Sequence, residues 1–171
     1  LQTAAELVSR GERESALEFL DSAQERLNER KAVRWCRPPV LDAVFSSYFD
    51  QAQNQGTPVE ARISLPDTLP VDEGELAIVL ANALENAIHA CQSLPAGARK
   101  ISCKVIARPS LMIEIANPMA GAVEFDSQGL PVVTGAGHGL GTRSIAAFCQ
   151  KYGFLYHFEI EGGWFRLRVI Q

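Results

Sequence analysis

The stretch Leu76–Cys91 (LAIVLANALENAIHAC) leaves the chain the fewest choices. At 100° per residue, Leu76, Leu80, Ala83, Leu84, Ala87 and Cys91 share one broad apolar face, which fixes an amphipathic helix. Asn82, Glu85, Asn86 and His89 fall within roughly 100° of arc on the opposite side, with Ile78 intruding beside them. Solvent-facing stripes normally hold Lys, Glu and Arg. Two asparagines at i and i+4 are poor helix formers whose side chains compete with the backbone for hydrogen bonds. The stripe is therefore either an ordinary wetted face or the seat of a polar ligand or metal, and periodicity alone leaves both open.

The rest of the chain is an ordinary globular sequence. Of its 171 residues 47% are apolar and 21% charged, which excludes disordered, collagen-like and purely coiled-coil architectures. A chain of this length can bury a substantial core without disulfides or metals. The net charge of −4 and a pI near 5.4 argue against a nucleic-acid binder driven by phosphate contacts. Residues 1–34 carry 13 of the 36 charged side chains, so the N-terminal fifth differs in kind from the remainder. Cys36, Cys91, Cys103 and Cys149 show no ligand spacing and fit buried packing in a reducing compartment. The longest mostly apolar run, Leu76–Leu84, is too short to span a bilayer, and no signal or transit peptide is visible.

Within the charged segment, Ala16, Leu17, Leu20, Ala23 and Leu27 form a narrow stripe on a helix over 12–31. Such a stripe suits pairing with another helix. A short helical piece over 1–8 and a turn at Ser9-Arg10-Gly11 make this the end of a helical hairpin; the alternative is a solvated helix folding back on the domain. The chain opens on Leu1 inside that pattern and reads as a piece of something longer. Arg37-Pro38-Pro39 then breaks the chain. The patterns beyond it predict a helix over 40–55 and a strand over 59–65. A long helix over 72–93 follows, with acids clustered in its first turn, and then strands over 100–107 and 111–116. Asn117–Ala136 shows no periodicity, and a connector of this length is expected to be a lid. A helix over 140–152 and a closing hairpin over 154–160 and 164–170 complete an α+β order, implying a mixed or antiparallel sheet covered on one face by helices.

The second chemical feature is Gly135-Ala136-Gly137-His138-Gly139-Leu140-Gly141, followed at once by the helix start Thr142-Arg143-Ser144. Alternating glycines let a backbone approach a ligand closely, and a helix N-terminus adds free N–H groups and a positive dipole end. Together they suit a phosphate, while the alternative is a flexible hinge. The series is neither a dinucleotide fingerprint, since Thr142 stands where the third glycine belongs, nor a P-loop, since the chain has no Gly-Lys pair.

The pairing and order of these two features resemble the catalytic ATP-binding domain of bacterial sensor histidine kinases, of the GHKL ATPase superfamily with its Bergerat fold. Asn82-x-x-Glu85-Asn86-Ala87 matches the family's N box, and Gly137-His138-Gly139-Leu140-Gly141 its glycine box. The subgroup of peptide-sensing, quorum-type kinases is the most similar. The resemblance covers about residues 38–171 and implies a two-layer sandwich with three helices over the sheet. It implies ATP and Mg²⁺ as cofactors, with Asn86 holding the metal on the phosphates. Asn82 matches the position near the phosphates and the attacking group, and Glu85 the acid that orients or deprotonates the acceptor. His89 matches a variable position that is basic in some relatives, which implies a place near phosphate. Gly137, His138, Gly139, Leu140, Gly141 and Thr142 are implied as nucleotide-binding residues.

The resemblance further implies that residues 1–34 end a dimerising hairpin and that 35–171 form the ATP-binding domain. The partners expected are a second copy, bound through the hairpin, and a response regulator, but no nucleic acid. The acceptor histidine is expected upstream of Leu1, because His89 and His138 lie in the nucleotide motifs and His157 in a terminal strand. A cytoplasmic domain of a membrane-anchored sensor is expected. Two alternatives are a regulatory nucleotide-binding or dimerisation module without kinase activity, and another superfamily ATPase such as an anti-sigma-factor serine kinase.

One departure stands out. Most of the superfamily has Asp-x-Gly-x-Gly after the strand, its aspartate taking the adenine amino group; here the chain has Ile115-Ala116-Asn117-Pro118, similar to the subgroup's Asn-containing variant. An amide oxygen accepts the same hydrogen bond without charge, at roughly half the strength. Weaker nucleotide binding than in aspartate-bearing relatives is expected. In Asn117→Ala, calorimetric titration should show a further loss, and ATP binding left unchanged would remove Asn117 from the adenine contact.

Overall fold

Pro39 opens the first helix of the domain, where its fixed φ and missing N–H do no harm. A computed structural model describes residues 33–132 and 140–171; the helical hairpin expected over 1–31 and the glycines at 135, 137 and 139 lie outside those residues. Helix α1 spans Pro39–Asn54. Its entry is tied down by Asp42, whose Oδ1 accepts from the backbone N–H groups of Trp35 (2.7 Å) and Cys36 (3.2 Å). Gly56 ends it with φ +72°, letting the Thr57 N–H reach back to the Ala52 carbonyl at 2.8 Å.

Strand β1 (Val59–Ser64) follows, then α2 (Glu73–Gln92), capped by Asp72, whose Oδ1 accepts from the Glu75 N–H at 2.9 Å. Strands β2 (Ile101–Ile106) and β3 (Met112–Pro118) form the next pair. A small hairpin, β4 (Glu124–Phe125) with β5 (Pro131–Val132), precedes α3 (Leu140–Tyr152). Strands β6 (Leu155–Glu161) and β7 (Trp164–Ile170) close the chain around the positive-φ pair Gly162-Gly163.

The five main strands run in the order β1-β2-β3-β7-β6, with β1 and β2 parallel and every other pair antiparallel. This is the mixed sheet with three helices that the periodicities imply, and element limits agree to within a residue or two. Two details differ. Strand β3 runs to Pro118, because Asn117 and Pro118 still pair with Phe165 and Trp164 of β7, so Asn117 belongs to the sheet and not to a loop. The stretch after it is not wholly irregular either. Asp126 accepts from the N–H groups of Gln128 and Leu130 and so makes the turn of the β4–β5 hairpin, a side-chain signal that hydrophobic periodicity cannot register.

Alternation divides the sheet into two chemistries. Cys103, Ile115, Leu167 and Phe158 stand in register on the inner face and are all buried. Lys104, Glu114, Arg168 and His157 stand in register on the outer face, where Arg168 reaches Glu114 and Glu159, each at 2.7 Å. Helix α2 packs against α1, α3 and β3. All six of its expected apolar positions are buried, and so are Ala77, Val79 and Ile88, because packing on three sides widens the hidden arc. Ile78 stays 54% exposed. The four cysteines are free and buried; burial raises the thiols of Cys36 and Cys149 to about 11 and that of Cys103 to about 12.

Leu80 sits at the centre of this packing with no exposed surface. Leu80→Ala should lower the unfolding free energy by about 2–5 kcal/mol in urea titration, through lost transfer energy plus a residual cavity. The m-value should stay unchanged.

Candidate functional site

The polar stripe of α2 borders a cavity of about 430 Å³, a volume typical of small-molecule and cofactor sites. One wall is the C-terminal half of the stripe, Asn86, His89, Ala90 and Ser93. These stand at i, i+3, i+4 and i+7, the rows that share one helical face. The sheet contributes Asn117 from the end of β3 and its register partner Phe165 from β7. Met119, Ala120, Ala122 and Val123 supply the opposite wall, with Pro131 and Val132 of β5, and Thr142 enters from the first turn of α3.

Two polar groups are held firmly. Asn117 is only 2% exposed, and its Nδ2 donates to the Pro118 carbonyl oxygen at 2.9 Å. With one N–H of the amide committed, the orientation of the group is set and its oxygen is the acceptor that this side chain offers a ligand. Thr142 is 5% exposed. Among the described lining residues His89 is the sole titratable side chain, and the remainder are neutral. An uncharged, mostly apolar chamber with one oriented amide suits a flat heteroaromatic group with a polar edge better than a fully charged one.

At the other end of the stripe Asn82 meets the start of α3. A Cβ placed on Gly141 would lie 3.3 Å from the Asn82 Cβ and 3.4 Å from its Oδ1, so the absence of a side chain at 141 is what lets the two helices approach there. The first turn of α3 thus lies against the asparagine stripe, where its N–H groups and positive dipole end favour an anion.

The structure therefore brings Asn86, His89, Asn117 and Thr142 to one cavity and sets Asn82 and Gly141 against each other beside it. Leu140 is 73% exposed and does not line the cavity. Glu85 does not line it either: it is exposed and lies towards Tyr48 of α1, whose phenol is pushed up mainly by burial and secondarily by the Glu85 charge. Gly137, His138 and Gly139 lie outside the described residues. Sequence reasoning missed Ser93, Met119 and Phe165. Ser93 was within reach, being one further turn along the same row, but Phe165 becomes visible only through its register with Asn117.

As to cation sites, no cluster of three or more His, Cys, Asp or Glu side chains occurs among the described residues. The Asn86 amide oxygen is a suitable hard donor for a divalent ion such as Mg²⁺ when a ligand's own oxygens complete the set.

The family model for the GHKL domain matches residues 72–171, which span the asparagine stripe, Asn117 and the glycine series. No curated protein matches the sequence. Among solved structures, the nucleotide-free catalytic domain of histidine kinase ThkA is similar at 14% identity and a TM-score of 0.60, covering 77% of this chain and 88% of that one. The mycobacterial sensor histidine kinase MprB is similar at 13% identity and a TM-score of 0.54, covering 77% and 92%. Acinetobacter baumannii histidine kinase AdeS is similar at 14% identity and a TM-score of 0.51, covering 99% and 91%. At such identities the likeness is one of fold.

The contact between Gly141 and Asn82 generates a test. Gly141→Ala gains helix propensity of up to about 1 kcal/mol but forces Asn82 to move by a few tenths of an ångström. Unfolding free energy should stay within about 1 kcal/mol of the parent, while the Asn82 backbone and side-chain amide NMR signals shift more than those of Leu80 or Leu84.

Proposed function

The chain belongs to the GHKL domain family, and from that premise we propose that residues 35–171 are the ATP-binding catalytic domain of a sensor histidine kinase. The observation that carries this reading is the oriented amide of Asn117 at the wall of a neutral cavity, bordered by the asparagine stripe with Thr142 entering from the start of α3. The residues present fit a nucleotide. Asn117 Oδ1 accepts from the exocyclic amine of adenine, and Met119 and Phe165 offer apolar surface to the base. The α3 N-terminus and the glycines before it receive the phosphates. Asn82 lies beside that terminus, His89 on the cavity wall would meet phosphate oxygens, and Asn86 would offer its amide oxygen to Mg²⁺, whose chemistry when bound is to neutralise charge on the phosphates.

The reaction in this reading is phosphoryl transfer to a histidine on the dimerising hairpin to which residues 1–34 belong. Such transfer needs positioning and charge neutralisation more than covalent work by the protein. Glu85 fits its role because it is exposed: an acid that orients or deprotonates an acceptor delivered from outside the domain cannot be sealed within the cavity. The partners proposed are a second copy and a response regulator, and the setting is the cytoplasmic side of a membrane-anchored sensor. No helix of the described residues is itself long and apolar enough to cross a membrane. The neutral residue at 117 favours one alternative, a nucleotide-binding regulatory module, which predicts binding without transfer.

A thermal-shift titration with Mg-ATP tests the binding step. A ligand that binds only the folded state at a hundredfold excess over its Kd stabilises by ~2.7 kcal/mol, so a rise of several degrees in Tm is expected. In Asn86→Ala the rise with Mg²⁺ should fall to that seen in EDTA. No shift at any ATP concentration would overturn the nucleotide reading, and binding without histidine phosphorylation of the hairpin-bearing protein would favour the regulatory module.

A further inference from the structure

Position 117 carries an amide and no charge, and the geometry gives that neutrality a cause. Asn117 is almost wholly buried, and its Nδ2 donates at 2.9 Å to the carbonyl oxygen of the very next residue, Pro118. A carbonyl oxygen can only accept, so the atom facing it must be a donor, and this fixes which end of the amide points where. The carbonyl itself is anchored by the sheet: Pro118 pairs with Trp164, and the following N–H, of Met119, donates to the Gly163 carbonyl at 3.1 Å. It cannot turn away without breaking the end of the β3–β7 ladder.

We infer that the Pro118 carbonyl makes position 117 a site for an amide and against a carboxylate, so that Asn117 is the specificity-determining residue of the cavity and not a weakened aspartate. An ionised Asp at 117 would place an anionic oxygen against the carbonyl oxygen that Nδ2 now satisfies. Among the described lining residues no fixed cation offsets that charge. α2 presents Asn86, His89 and Ser93; β7 presents Phe165; α3 presents Thr142; and the residues of the Met119–Val132 connection that line the cavity are uncharged, its acids Glu124 and Asp126 not being among them. No Lys or Arg lines the cavity among the described residues, and His89 is the one group that can become cationic. A carboxyl there escapes the conflict by staying protonated, its hydroxyl donating to Pro118 and its carbonyl oxygen replacing Asn117 Oδ1. The inference rests on the nucleotide reading for its ligand, whereas the amide lock stands on the protein alone.

The test is Asn117→Asp in the 171-residue chain, with two readouts against the parent. First, Tm without ligand is followed from about pH 4 to about pH 8, bracketing upward from the ordinary Asp value of about 3.9. A carboxyl whose folded pKa is raised contributes stability present at low pH and lost as pH climbs through that raised value. The Tm deficit of the variant should therefore widen with rising pH. Second, Mg-ATP affinity of the variant should be about tenfold or more below the parent at the alkaline end, the scale of a buried acceptor left without its donor. It should approach the parent at the acid end, and repeating both titrations in a His89→Gln background separates any contribution of His89.

A variant that binds Mg-ATP as tightly as the parent or better throughout, with a Tm deficit flat in pH, would overturn the inference. If the parent itself binds no Mg-ATP, the nucleotide reading fails and the Tm profile still decides the amide lock. If the variant folds at no pH, the parent's Asn117 side-chain NH₂ decides. One proton slowed in exchange supports the lock, and both exchanging at solvent rates refutes it.

Discussion

Helix α2 is the constraint on which the other elements depend. It must bury one side against β3 and wedge between α1 and α3, so three surfaces have to fit around it. A buried apolar side chain contributes about 1.5–3 kcal/mol, and α2 alone hides nine such positions, from Leu76 to Cys91. That packing fixes the rotation of the helix about its own axis. Once the rotation is fixed, the direction of the Asn82, Asn86 and His89 side chains follows without further adjustment. The poor helix propensity of the two asparagines is affordable because tertiary packing, not local preference, holds the helix.

The same logic explains the precision of the sheet contribution. Asn117 and Phe165 come from strands that are antiparallel neighbours in register, and the inner residues of those strands, Ile113, Ile115, Leu167 and Val169, are buried beneath the helices. A slip of one residue would turn this apolar row outward and bring Arg166 and Arg168 into the core. The register that stabilises the core therefore also aims the amide into the cavity. On the outer face, Arg168 between Glu114 and Glu159 adds a partly screened ionic row whose contribution is modest for groups this exposed.

Much of this was legible in the sequence because it rests on two periodicities. The apolar face of α2, the alternation in β1, β2, β6 and β7, and the extent of α3 are all patterns local to a few residues. Asn82, Asn86 and Asn117 could be picked out by chemistry that made no sense for solvent-facing positions or by the motif they complete. What escaped was non-local or made by polar side chains. Phe165 enters the cavity only because β7 lies beside β3 and not beside β5. The β4–β5 hairpin is created by the Asp126 carboxylate, and the limit of β3 by pairing that continues through Pro118.

Charge is distributed along the site in a way that divides its labour. The chamber lined by Asn117, Phe165 and Met119 holds no fixed charge among its described residues, so what it offers a ligand is its shape and the oriented amide of Asn117. Towards Asn82 and Gly141 the protein instead offers the start of a 13-residue helix, whose N–H groups and dipole act as partial positive charge that needs no counterion of its own. A ligand neutral at one end and strongly anionic at the other is matched by that gradient, and reversing it in the site would bury anionic charge where neither a lysine nor an arginine stands among the described lining residues. The neutrality of position 117 is thus consistent with the rest of the chamber: a carboxylate there would be the one fixed charge in a wall that is otherwise built to do without any.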